Sequence, residues 1–116
     1  MAKVVAVPPE ARLLSLSPDR FTGRPVLGHP PAYRCAVCDT VTRFQLGRKN
    51  PEPFTQEIHA ALDAASGPAV PWETDYTDFC CLGCGLPVRA THEIQEFAMS
   101  SYRYLPLFVY EYVAGS

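Results

Sequence analysis

The sequence predicts an α+β fold: a small antiparallel sheet carrying two cysteine turns, one short helix inserted between them, and a proline-rich N-terminal arm. Three observations predict it. The cysteines include two matched C-x2-C pairs, Cys35 with Cys38 and Cys81 with Cys84. Apolar residues recur at helical spacing between Phe54 and Ala65, whereas the segments around the cysteines alternate with the period of two that marks half-buried strands. The chain therefore divides into an arm over residues 1–31, packed on or flanking the rest, and a domain over 32–116 with a helical insertion at 51–66.

Six prolines in the first thirty-one residues block long helices and central strands, leaving room for short extended pieces at Val4–Val7 and Arg12–Leu16. Tyr33–Leu46 reads as a hairpin whose turn is the first cysteine pair, with Thr42, Phe44 and Leu46 on one side of its second strand. The turn cluster GRKNPEP ends it. Phe54, Ile58, Ala61, Leu62 and Ala65 then form an amphipathic stripe stopped by Gly67 and Pro68. The segment PWETDYTD connects that helix to the second cysteine cluster, its acids alternating with aromatic residues and threonines. Val88–Ile94 can form a strand, and Leu107–Val113 is a strong one because it is almost wholly β-branched and aromatic. Between these two strands EIQEFAMSSYRYLP reads as a loop too long for a tight hairpin.

The cysteine pattern carries the chemistry. A C-x2-C spacing lets one tight turn present two sulfurs to a single ion, and two such turns complete a tetrahedral Zn2+ site of four thiolates, Cys35, Cys38, Cys81 and Cys84. Gly83 and Gly85, flanking Cys84, suit a turn that needs positive φ. The fifth cysteine, Cys80, lacks the matched spacing and reads as an inner-face or spare thiol. A thioredoxin-like use of one pair would need a helix behind it in a βαβ unit, and an iron–sulfur cluster is less common at this spacing.

Four thiolates close the coordination sphere, so the expected zinc is structural and the chain is not an enzyme. No Gly-rich phosphate loop, nucleophile elbow or H-E-x-x-H motif is present, and His92-Glu93 lacks a second histidine. His29 reads as a turn residue, His59 as helix surface, and His92 as a substitute ligand or as the partner of a nucleophilic Cys80, both weaker than the four-thiolate reading.

Charge is uneven along the chain. Residues 1–34 hold five basic groups against two acidic, and the remainder holds five basic against ten acidic, within a net charge of −2. Phosphate binding needs clustered Lys and Arg, so nucleic acid is disfavoured. No segment approaches membrane-spanning length, and no apolar leader precedes Pro8 and Pro9, which makes a cytoplasmic, reducing location the expectation.

The paired C-x2-C turns resemble zinc-ribbon proteins, in which two metal-binding knuckles sit on a small antiparallel sheet. The resemblance covers about Tyr33 to Val113. FCCLGCGLPVR followed by EFAMSSYRYLPLFVYE also resembles small uncharacterised bacterial zinc-ribbon proteins found near polymorphic toxins, which implies an immunity or toxin-inhibitor role. On that reading the partner is a protein, met by Glu73, Asp75, Tyr76 and Asp78 in the acidic segment. Glu93, Glu96, Phe97, Met99, Tyr102 and Tyr104 would meet it from the aromatic loop, aromatics and Met being common interface anchors. Core packing is the leading reading for Phe108 and Tyr110 and the competing one for Tyr102 and Tyr104. The alternative function is a nucleic-acid-binding or transcription-related ribbon using Arg43, Arg48, Lys49, Arg89 and Arg103.

Overall fold

The computed structural model describes residues 2–7, 11–14, 21–22, 32–44, 54–67, 74–98 and 101–114. These residues build two antiparallel sheets and one helix. The larger sheet orders β1 (Ala2–Val7), β8 (Ser101–Ala114), β7 (Pro87–Ala98) and β6 (Thr74–Cys80), with β3 (Phe21–Thr22) pairing to the far part of β8. The smaller orders β2 (Leu13–Leu14), β4 (Ala32–Arg34) and β5 (Val41–Arg43). Helix α1 spans Gln56–Ser66.

Period-two alternation decides what each face of the large sheet meets. Phe79 lies opposite Val88, and Val88 opposite Glu111; Thr77, Ala90 and Val109 form the next row. All six are buried. Phe79, Val88, Ala90 and Val109 share one core with Leu13, Tyr33, Cys35 and Phe44 of the small sheet and its flanks. Phe79 stacks on Phe44 with ring centroids 4.2 Å apart and meets Tyr33 edge-on at 5.4 Å, the second a geometry that aromatic quadrupoles favour. The opposite face carries Asp78 and Arg89, which lie across from each other and face α1.

The helix ends where its sequence says it should. Thr55 caps it, its hydroxyl accepting from the Ile58 amide at 3.2 Å, and Gly67 closes it at φ 77°, its amide donating to the Asp63 carbonyl at 2.9 Å. Leu62, fully buried, anchors the apolar face.

The extended pieces expected in residues 1–31 pair into the two sheets as β1 and β2, with β3 a further strand, and β1 meets β8 over its whole length from Ala2↔Ala114 to Val7↔Val109. Two expectations change. PWETDYTD is more than a connector, since Thr74–Cys80 is a strand paired to β7. The expected long loop at Glu93–Tyr104 is instead the far half of a hairpin in which Ala98 pairs with Ser101. Pro106 lies within β8, where a proline normally interrupts the ladder. Here the register shifts between Thr91 and His92: Thr91 faces Phe108 and His92 faces Pro106, leaving Leu107 as the extra residue of a bulge. The Thr91 hydroxyl accepts from the Phe108 amide at 3.1 Å and stands in for the interrupted ladder.

Candidate metal centre

Each cysteine pair forms the turn of a hairpin, and the two turns repeat one backbone pattern. In the β4–β5 turn the Cys35 amide donates to the Thr40 carbonyl at 3.0 Å and the Asp39 amide to the Cys35 carbonyl at 3.0 Å. In the β6–β7 turn the Cys81 amide donates to the Leu86 carbonyl at 2.9 Å and the Gly85 amide to the Cys81 carbonyl at 2.9 Å. The residue after the second cysteine has positive φ in both, 60° at Asp39 and 77° at Gly85. Glycine enters that region freely, and aspartate is among the few other residues that tolerate it. The Val37 amide reaches Cys35 Sγ at 3.4 Å, and the Gly83 amide reaches Cys81 Sγ at 3.3 Å. Such N–H donors are placed to orient a metal-bound sulfur.

Gly83 is a glycine for a different reason from the one expected. A Cβ there would overlap Thr40 Oγ1 and lie 2.8 Å from Cys38 Sγ, so the residue makes room for the opposing knuckle, while Gly85 supplies the positive φ. The Leu82 amide also donates across the gap to Thr42 Oγ1 at 2.9 Å.

The four sulfurs of Cys35, Cys38, Cys81 and Cys84 consequently lie within 4.8 Å of one another. An ion bound at about 2.3 Å from each of four tetrahedral sulfurs needs neighbouring sulfurs about 3.8 Å apart, so the cluster fits Zn2+ with small adjustments. When bound, the ion would supply a crosslink rather than an open coordination position. Two thiol contacts, Cys35 to Cys84 at 3.6 Å and Cys38 to Cys81 at 3.5 Å, run from one knuckle to the other. Cys35 and Cys81 are buried, whereas Cys38 and Cys84 are exposed. The hydroxyl and amide of Thr40 pull the Cys38 thiol down to about 6, while desolvation and the neighbouring thiols push Cys84 up to about 12. Four sulfurs this close cannot all ionise until a cation joins them.

Behind Cys35 stands a buried polar chain. Tyr33, two residues before it on β4, donates its hydroxyl to the Glu111 carboxylate, and Glu111 lies 3.5 Å from the Arg12 guanidinium. Burial, then the bond to Glu111, then the proximity of Cys35 hold the Tyr33 hydroxyl well above its ordinary range. Outer contacts of this kind orient metal ligands.

Comparison with known proteins finds no matching family model, no matching curated protein and no matching solved structure.

Cys80 lies outside the sulfur cluster, half-buried, its thiol pushed up by burial, Asp78 and Cys81 in that order. His92 is buried at 1% exposure on β7, opposite Asp75, and is not part of the cluster. His29 is outside the described residues.

The residues expected to meet a partner are distributed unevenly. Asp75 and Tyr76 are half-buried on β6 and Glu93 is half-buried on β7. Asp78 is fully buried, against the expectation that it meets a partner, because Arg89 engages both its oxygens at 2.7 and 3.1 Å. Glu96 and Phe97 belong to β7, and Tyr102 and Tyr104 to β8, with Glu96 opposite Tyr102; their backbones alone are described. Glu73 and Met99 are outside the described residues. Phe108 is 48% exposed, which removes it from the core, while Tyr110 is half-buried beside it. Among the arginines of the nucleic-acid reading, Arg89 is withdrawn at 0% exposure and Arg43 is exposed; Arg103 pairs with Gln95 in the backbone ladder, and Arg48 and Lys49 are outside the described residues.

Sequence reasoning missed the cluster around Arg89. Its guanidinium also donates to Asp63, to the Ser66 hydroxyl at 3.4 Å and to His59 Nδ1 at 3.1 Å, while lying 3.9 Å from the centre of the Tyr76 ring. His59 Nε2 sits 3.3 Å from Asp63, so the ring accepts at Nδ1 and donates at Nε2. A signal was available: the knuckle turn pairs Cys80 with Pro87, and counting back two residues on each strand sets Asp78 opposite Arg89.

Proposed function

We propose that the chain is a zinc-stabilised, non-enzymatic module that works by binding another protein, as a bacterial immunity or inhibitor protein that occludes a cognate toxin in the cytoplasm. The observation that carries the reading is the sulfur cluster: four cysteines within 4.8 Å fill a tetrahedral ion and leave no position for a reacting water. Function then falls to surfaces. The β7–β8 hairpin supports this, because its backbone ladder continues to Ala98 and Ser101 beyond the last pairs with β6 at Glu93 and with β1 at Val109, with β3 alongside it at Arg103 and Tyr104. Apolar side chains also stand exposed at the knuckles, Val37 at 63% and Leu82 at 78%. The nucleic-acid alternative is weakened by the loss of Arg89 to the interior.

Two measurements test the reading in order. Metal analysis of wild type should find one zinc per chain, retained in Cys80→Ser and lost in Cys81→Ser; the reverse pattern would overturn the ligand assignment. Purified protein mixed with the product of its genomic neighbour should form a complex and protect cells from that product. Absence of both complex and protection removes the immunity role while leaving the metal site intact.

A further inference from the structure

The four sulfurs differ in accessibility, and that difference is arranged in a definite way. Each knuckle contributes one buried cysteine, Cys35 or Cys81, and one exposed cysteine, Cys38 or Cys84. The two thiol–thiol contacts each join an exposed sulfur of one knuckle to the buried sulfur of the other. We propose that Cys38 and Cys84 are sites of oxidation by a hydroperoxide, and that the resulting disulfides form between knuckles, Cys38 with Cys81 and Cys84 with Cys35. This rests on the four-cysteine metal site and adds a reaction to it.

The chemistry balances with the hydroperoxide as sole oxidant. The Cys38 thiolate attacks the terminal peroxide oxygen; a sulfur–oxygen bond forms, the oxygen–oxygen bond breaks, and the alkoxide or hydroxide leaves and takes a proton from water. Cys38 is now a sulfenic acid. The Cys81 thiolate, 3.5 Å away, attacks that sulfur, forming the disulfide and expelling hydroxide. The same two steps at Cys84 and Cys35, 3.6 Å apart, consume a second hydroperoxide. Two sulfurs lose two electrons in each round, the peroxide oxygen gains them, and after both rounds no thiolate ligand remains.

The pairing determines what survives. A disulfide within a knuckle would remake the turn that aims the Val37 and Gly83 amides at sulfur, and it would leave the hairpins of the two sheets unlinked. Disulfides between knuckles join the β4–β5 turn to the β6–β7 turn, as the ion does. Oxidation would release the metal and keep the sheets docked, so thiol reduction would restore the site without refolding.

The test treats the full-length zinc-loaded protein with stepwise additions of hydrogen peroxide. Zinc release is followed with a chromogenic chelator, and the disulfides are mapped by mass spectrometry of peptides cut without reduction. Expected are one ion released per two peroxides consumed, cross-linked peptides containing Cys38–Cys81 and Cys35–Cys84, and a far-UV spectrum that does not change. Disulfides within the knuckles, sulfinic acid at Cys38 and Cys84 without disulfides, or a disulfide to Cys80 as the main product would overturn the proposal, as would retention of zinc. If the purified protein holds no metal and gives no thiolate charge-transfer band with Co2+, the metal reading fails instead. The same mapping on the metal-free chain then decides the pairing on its own.

Discussion

Replacing Arg89 by alanine would test whether the face between α1 and the large sheet is held by charge. The guanidinium is fully buried and donates to both Asp78 oxygens, to Asp63, to Ser66 and to His59, so its removal takes the cation away from a carboxylate at 0% exposure. Breaking a buried ion pair from one side costs about 3–5 kcal/mol, chiefly because the remaining charge is left uncompensated. Asp63 adds little, since its side chain is 47% exposed and water can replace its partner. For a chain of this length each kcal/mol lowers the melting temperature by roughly 4 °C, so the variant should melt about 12–20 °C lower. Differential scanning calorimetry of the zinc-loaded protein, with the metal content of both proteins checked, reads this directly. Removing both charges with shape retained, as Arg89→Met with Asp78→Leu, should recover most of the loss, because it removes both buried charges together. A single variant within about 1 kcal/mol of wild type, or a double variant worse than the single, would refute the reasoning.

Two further perturbations address the metal side. Tyr33→Phe leaves the buried Glu111 without its donor and should cost about 1–3 kcal/mol by urea denaturation. Because the folded hydroxyl is held above its ordinary value of 10.0, the unfolded chain releases its proton first, and stability should fall as pH rises above that value. Tyr33→Phe should flatten that alkaline fall, and an unchanged slope between pH about 9 and 11 would contradict the assignment. Gly83→Ala places a methyl against Thr40 and Cys38 and should cost about 1–3 kcal/mol while weakening zinc in a chelator competition. Retention of wild-type zinc affinity in that variant would show that the knuckles can separate without consequence.

Short-range chemistry was legible in the sequence. The C-x2-C turns, the capped helix and the aromatic strand around Val109 are each specified by residues within a few positions of one another, and each stands where spacing and propensity put it. What escaped depends on pairing between distant segments. The hairpin beyond Glu93 was hidden because the length of the segment between the two expected strands read as a loop, whereas pairing extends both strands and accommodates Pro106 at the bulge beside Thr91. The knuckle register puts Arg89 across the ladder from Asp78, but nothing local shows that Asp63 and His59 arrive from a helix to complete the cluster that buries it. The extended piece at Val4–Val7 was legible, but not its partner, since AKVVAV pairs with residues about a hundred positions away.

The sharing of the four cysteines between two hairpins also bears on the order in which the molecule comes together. Either knuckle alone offers an ion only half its ligands, and the contacts that complete the set join positions 43 and 49 residues apart. Closing such separations is the slow part of assembling a sheet protein, whereas each turn can form by itself. A chain bearing one knuckle would therefore hold a metal ion more loosely than one whose two sheets have met, so uptake of the ion would report completed docking rather than seed it.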